Sequence, residues 1–527
     1  MTREQRRFWL WAGAALVAGL LLRLWFIHHL ARVAGDSLVY GDIAKNLLLH
    51  HIYGFTEQGP TPGSTMIRST LIRLPGFPLF LAACFRLFGM EHYHAVLYVQ
   101  LDADLATCAL AAALAGRLFG RRALLPVLWL GVLCPFISSY VATPLTETLV
   151  LTSIALTFYG FARWQEAGVR YNRWLWLISA ALAWSILLRP EQGLLAAAVV
   201  PAMFWAAWIS AAQQAGWPIL SALSKGWGIA QRATVSLPNA DNADIASRRA
   251  SLLHSAAPVL VAALCVLLPL VPWTARNWRT FHVFEPLAPR AATDPGEQAP
   301  DGFNRWYRTW AIEFASTEDV YWNYDGNRIE LVDLPNRAFA LGCLAHRGVP
   351  RTSQPLYART AALFDDYNQQ TAATPEFDAR FDALARERIH AAPLCYYLAL
   401  PVARLLNMAF RPRTELMPIP VEWWKPPTPA RQTAFAAAYA ALNLAYFLLG
   451  FAGLRAWNLR GSKAARRPGT PPLGTRPILW AMAASLILRS ALLLTLDNSE
   501  ARSTVEFFPV LLVWAGGLFA PPTPESA

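Results

Sequence analysis

The segment GDSLVYGDIAKNLL (35–48) sets two carboxylates, Asp36 and Asp42, directly after a long apolar run. An ionisable side chain at a lipid–water boundary is costly to place and is a functional-site hypothesis by default. A carboxylate there can take the proton of an attacking hydroxyl as a general base. The plainer role is a helix cap, in which Asp36 or Ser37 accepts a backbone N–H. Spacing alone favours the cap, and the two roles are compatible because capping occupies one carboxylate oxygen. Further charges follow. Arg73, in STLIRLPGFPLFLAACFRLFG, either snorkels from an apolar helix or meets a phosphate through paired hydrogen bonds. Glu147 (ATPLTETL, 142–149) stands at a span start, where a carboxylate suits the helix N-terminus. Arg189 and Glu191 share ILLRPEQG (186–193), Arg276 and Arg279 follow in VPWTARNWRTFHVFEPL (271–287), and Asp497, Glu500, Arg502 and Glu506 lie in LDNSEARSTVEFFP (496–509). Each alone is weak; the signal is that all project from span ends on one side.

That side follows from the elements that carry them. The 527 residues are 55% hydrophobic and 15% charged, with apolar blocks of about twenty residues, the length a bilayer-crossing helix needs. The chain reads as an all-α polytopic membrane protein. A net charge of +12 would suit nucleic acid, but the Lys and Arg sit between the blocks, where they set topology, and a nucleic-acid partner is rejected. The first block, 8–30, follows Arg3, Arg6 and Arg7, lacks a cleavage site and reads as a retained span, so Asp36 emerges outside the cytoplasm. Further spans are expected near 94–116, 122–141, 144–162, 174–188, 193–210, 256–273, 432–456, 476–495 and 504–520, with centres mostly uncharged. Ten spans with both termini inside place GRLFGRR (116–122), 163–173, the 211–255 loop and RAWNLRGSKAARRPG (455–469) in the cytoplasm. The stretches 71–89 and 393–410, interrupted by Pro and Arg, read as interfacial helices on the outer face, and residues 37–49 as an amphipathic surface helix. The expected organisation is an N-terminal span (1–30), a first extracytoplasmic loop (31–93), spans two to seven (94–273), a large Trp- and Tyr-rich extracytoplasmic loop (274–430) and C-terminal spans (431–527). Cys343 and Cys395 fall in or beside that loop and could pair as a disulfide. No Cys/His spacing suggests structural zinc.

The order of these motifs resembles the C-type (GT-C) superfamily of polyprenyl-phosphate-sugar-dependent membrane glycosyltransferases. The likeness is to the bacterial branch related to the protein O-mannosyltransferases (glycosyltransferase family 39) and the lipid A aminoarabinose transferase. It is carried by GDSLVYGDIAKNLL, RLPGFPLFLAACFRLFG, GRLFGRRALL, PLTETLVL, LLRPEQGLL, PWTARNW and EARSTVEFFPVLL, from residue 35 to about 513. The resemblance implies a GT-C-like bundle of about 10–13 transmembrane helices in the bacterial cytoplasmic membrane, with its active site on the periplasmic face. Asp36 is then the catalytic carboxylate and Glu147 a second acidic site residue; Arg73, Arg189 and Arg276 face the donor phosphate. Asp42, Tyr40, Glu191, Glu500 and Arg502 are expected near the sugar or acceptor. The implied reaction inverts a monosaccharide from a polyprenyl-phosphate donor onto a hydroxyl of a lipid, polysaccharide or protein; it requires no cofactor, and no metal site is expected, although a divalent ion is compatible with it. Two departures, Asp36-Ser37 in place of an Asp-Glu pair and no tyrosine after Arg502, leave sugar and acceptor open. A lipid-linked-sugar flippase or an oligosaccharide ligase or polymerase would use similar outer-face charges. A flippase should also show mid-membrane charges and an internal repeat; no convincing repeat is present.

Overall fold

The computed structural model describes residues 1–59, 61, 63–214, 256–289, 292–329, 354–464 and 475–520. The chain is a predominantly helical, multi-span membrane protein, with one short two-stranded hairpin among the described residues. Among the described residues six helices are long and apolar enough to cross a bilayer: Arg3–Leu30, Tyr93–Phe119, Pro190–Ala211, Ala256–Phe281, Ala430–Arg460 and Thr475–Leu493. The other expected spans take different forms for local reasons. The segment near 122–141 divides into Arg121–Val132 and Pro135–Ala142, bent by 47°, since Pro135 cannot donate to the helix before it. Helix Arg173–Leu188 has 16 residues, about 24 Å at the usual rise. The block near 504–520 is a 3₁₀ turn Ala501–Phe507, a short helix Phe508–Ala515 and a second 3₁₀ turn Gly516–Phe519. Most of the 211–255 loop lies outside the described residues.

The chain divides into two compact units. The first comprises Met1–Ala288, Ala445–Leu488 and Glu506–Ala527. Its first helix opens with a reciprocal capping box, Thr2 with Gln5. Within it Arg23 is fully buried and donates to Asp104 Oδ2 (2.6 Å), Gly19 O (2.9 Å) and Val132 O (2.6 Å). This pair is an exception to the expectation of uncharged span centres, and the hydrogen bonds explain how a charge persists there.

Between the first two long helices the chain forms a small cover. Helix Asp36–His50 ends at His51, left-handed at φ 57°, whose N–H closes on Asn46 O. A hairpin follows, with Gly54–Gln58 antiparallel to Thr65–Ser69 and Phe55 opposite Arg68. Asp42 accepts from Thr56 N (2.6 Å) and Thr56 Oγ1 (2.8 Å), and Asn46 donates to Gly54 O (3.0 Å), so two side chains of the helix fasten the hairpin to it. Helix Gly76–Phe88 completes the cover, burying Phe77, Leu81, Cys84 and Phe85 at the spacing of one helical face. With 13 residues it is about 20 Å long, short of a crossing.

The second unit comprises Pro289–Leu444 and Arg489–Val505. Its core is aromatic, built on Phe303, Trp306, Tyr307, Phe364, Tyr367 and Phe381. Asp378 accepts from Gly302 N (3.0 Å) and Phe303 N (2.9 Å) at the start of helix Asp301–Arg308, and Arg404 donates to Arg308 O and Ala311 O at its end (both 3.0 Å). Carboxylate and guanidinium thus each complement one end of the helix dipole. The stretch 393–410 forms a π-turn, Cys395–Ala399, and a helix, Leu400–Phe410. The combined segment is bent by 102° from Pro375–Ala391, which excludes one straight span. Cys395 is disulfide-bonded; Cys343, the expected partner, lies outside the described residues.

Candidate active site

The capping role expected for Asp36 or Ser37 falls instead to Gly35, whose φ of 54° suits a residue without a Cβ. Asp36 therefore stands inside the first helical turn, and its Oδ1 accepts from Arg73 Nη2 at 3.1 Å. The side chains are 25% and 27% exposed, open enough for a hydroxyl to approach. Arg73 is held by its backbone: the Tyr53 hydroxyl donates to Arg73 O at 2.9 Å. Its Nε is buried without a hydrogen-bond partner among the described residues.

A second cluster lies where helix Arg173–Leu188 ends. Arg189 reaches Glu147 (3.5 Å), Glu191 (3.2 Å) and Glu506 (3.4 Å), and Gln192 Nε2 donates to Glu506 Oε2 at 2.6 Å. Glu147 is the first residue of helix Glu147–Glu166; it and Glu506 are nearly inaccessible, at 1% and 5%. Buried carboxylates of this kind need the guanidinium.

The two clusters are brought together by backbone packing. A Cβ on Gly76 would lie 2.6 Å from the carbonyl of Leu187, so only glycine lets the chain beyond Arg73 rest on the chain leading to Arg189. Tyr40 records the result. Its ring lies 5.9 Å from the Arg73 guanidinium and edge-on to Phe77 at 5.0 Å. Burial pushes its phenol up to about 12; Arg73 and Arg189 pull it down, while Asp36 and Glu147 push it up. Both carboxylates and both guanidinium groups therefore act on one phenol.

Other expected site residues have different surroundings. Asp42 fastens the hairpin through Thr56. Arg276 donates to Thr70 O (2.7 Å), Tyr53 O (2.8 Å) and Asn277 Oδ1 (3.0 Å), and sits over the Tyr53, Trp273 and Phe281 rings at 5.2–5.3 Å. It braces the two residues that flank the hairpin, and Tyr53 in turn donates to Arg73 O. Glu191 joins the Arg189 cluster. Glu500 and Arg502 belong to the second unit and pair with each other, with Asn498 donating to Glu500 Oε1 at 2.7 Å.

Glu506 was read from the sequence as one of the outer-face charges but given no site role, and Gln192 was not singled out. Glu506 had a usable signal, an acid opening an otherwise apolar run, VEFFPVLLVW. Ser37, read from the sequence only as a candidate cap, has a fully buried Oγ without a hydrogen-bond partner among the described residues. Among the described residues no group of three or more His, Cys, Asp and Glu could hold a metal ion.

No family model matches the chain, and no curated protein matches it. Among solved structures it is similar to the crystal structure of ArnT from Cupriavidus metallidurans in the apo state, at 14% identity and a TM-score of 0.31 over 98% of this chain and 78% of that one. At that score the likeness carries no weight beside the side-chain geometry, which presents a partly open carboxylate against a guanidinium, with a buried acid–arginine cluster behind it.

Proposed function

We propose that this chain is a GT-C-type membrane glycosyltransferase that moves a monosaccharide from a polyprenyl-phosphate donor to a hydroxyl acceptor on the periplasmic face of a bacterial cytoplasmic membrane. The observation that carries the reading is the partly open Asp36–Arg73 pair, with Gly76 close beyond Arg73 packed on Leu187, two residues before Arg189. The acceptor oxygen attacks the anomeric carbon, its proton passes to Asp36, and the carbon–oxygen bond to phosphate breaks with its electron pair leaving on the polyprenyl phosphate. Attack opposite the leaving group inverts the anomer. A general base of this kind contributes about 10²–10⁴ in rate. Arg73, its side chain 27% exposed, and Arg189 stabilise charge growing on the departing phosphate. Glu147 and Glu506 fix Arg189 in place. Phosphate leaves readily, so the step asks for no metal; activity lost in chelator and restored by a divalent ion would overturn that point.

A lipid-linked-sugar flippase would be expected to line a path with its mid-membrane charges, whereas Arg23 and Asp104 are both 0% exposed and bonded to each other. The purified protein, reconstituted in liposomes with envelope lipids and an undecaprenyl-phosphate monosaccharide pool, tests the reading. Free undecaprenyl phosphate should be released only with acceptor present, and Arg73→Ala should slow release chiefly at low donor. Movement of intact donor across the bilayer without release would overturn the transferase reading.

A further inference from the structure

The second unit holds a cavity of about 420 Å³, the size of a small-molecule site. Its walls include Phe314, Trp423 and Trp424 together with Glu313, Asn407 and Arg411. The two indoles meet edge to face at 87°, with centroids 5.6 Å apart, so they offer surfaces in two directions. Trp424 is 45% exposed, a large aromatic surface left to water. Arg411 lies 4.7 Å over the Phe314 ring. Its N–H closes helix Leu400–Phe410 on Asn407 O at 3.0 Å, which sets Asn407 and Arg411 side by side.

The carboxylate, carboxamide and guanidinium are each part-exposed, so a purely apolar ligand would strip water from the polar surface they still present. A simple anion would meet Glu313. A sugar ring satisfies both kinds of wall, laying its C–H face on an indole and its hydroxyls against the three polar groups. We infer that this cavity is a carbohydrate-binding subsite. Its role in seating a sugar of the acceptor rests on the transferase reading above; saccharide binding itself does not. Leu406 and Phe410 also line the cavity and continue an exposed apolar stripe from Leu398 and Val402 at four-residue spacing. A glycolipid would find a place there for its chain, and a soluble glycan would leave it unused.

Saturation-transfer NMR on the full chain in phosphatidylcholine nanodiscs, with methyl glycosides of glucose, mannose, N-acetylglucosamine and arabinose, tests the site. At least one glycoside should receive saturation at its ring protons. Its affinity should fall about tenfold in Trp424→Ala, as expected for losing an aromatic contact, and also fall in Glu313→Gln. Trp424 is half-exposed, so the variant keeps its core. Asp36→Asn should bind the glycoside as wild type does, which separates this subsite from the transfer chemistry. Octyl β-D-glucoside, added below its micelle concentration, distinguishes the sources: tighter binding than methyl β-D-glucoside supports a glycolipid, and equal binding supports a soluble or protein-borne glycan. Absence of saturation for every glycoside, or saturation unchanged in Trp424→Ala, would overturn the inference even if transfer is observed.

Discussion

Replacing Arg189 and replacing Arg73 should have opposite balances of stability and activity, although both positions are proposed to face the same phosphate. Arg189 is 15% exposed and serves Glu147, Glu191 and Glu506, two of them nearly inaccessible. Removing one partner of a buried ion pair costs about 3–5 kcal/mol because the other charge stays behind; the residual exposure of Arg189 places Arg189→Gln near the lower end. The Asp36–Arg73 pair, each side chain about a quarter exposed, belongs with surface pairs at about 0.2–1 kcal/mol. The gap of about 2 kcal/mol is roughly a thirtyfold difference in unfolding equilibrium. Thermal unfolding in detergent can be followed with a thiol-reactive dye, because Cys84, Cys108 and Cys134 are free and buried in the first unit. The midpoint of Arg189→Gln should fall well below that of Arg73→Gln. Adding Glu506→Gln to Arg189→Gln should recover part of the loss, since it removes one stranded carboxylate. Equal midpoints for the two single variants, or a double variant no better than Arg189→Gln, would refute the account of this cluster.

Asp36→Asn should lower turnover by about 10²–10⁴ while moving the unfolding midpoint little; the same membrane preparation gives both readouts. Tyr40, raised to about 12 from a usual 10, stays protonated through the neutral range and adds no limb to the pH–rate profile there. Its raised value means the folded state holds the proton longer, so stability is untouched below about pH 10 and declines as pH rises from there toward 12; the decline should be smaller in Tyr40→Phe, followed by circular dichroism. Asp104→Leu should strand the Arg23 charge and destabilise by about 3–5 kcal/mol, whereas Arg23→Met with Asp104→Leu should recover most of it, measured with the same dye.

The sequence made some parts of this arrangement readable and hid others for identifiable reasons. Helix Asp36–His50 was legible because Val39, Tyr40, Ile43 and Leu47 recur at helical spacing. Asp36, Arg73, Glu147 and Arg189 were legible as charges at span ends, but not the Gly76 contact that draws their clusters together, since close approach leaves no mark beyond a glycine. The hairpin was hidden because neither FTEQ nor TMIRS alternates apolar with polar residues, leaving only the Gly- and Pro-rich turn between them as a mark. At Asp42 and Arg276 the fold contacts were not legible, because a carboxylate suits the Thr56 donors as it would a sugar, and a guanidinium suits two backbone carbonyls as it would a phosphate. The Arg23–Asp104 pair was hidden because its two charges lie in different apolar segments, 81 residues apart, and Asp102 beside Asp104 leaves the choice of partner unmarked.

The most direct measurement is mass spectrometry of lipid-linked sugars, envelope glycans and secreted glycoproteins from a deletion strain carrying wild type, Asp36→Asn or empty vector. The account predicts that the deletion and the Asp36→Asn strain both lack one sugar on a defined acceptor and accumulate its polyprenyl-phosphate form, while wild type restores transfer. Full restoration by Asp36→Asn would contradict it and leave the Asp36–Arg73 pair a structural contact.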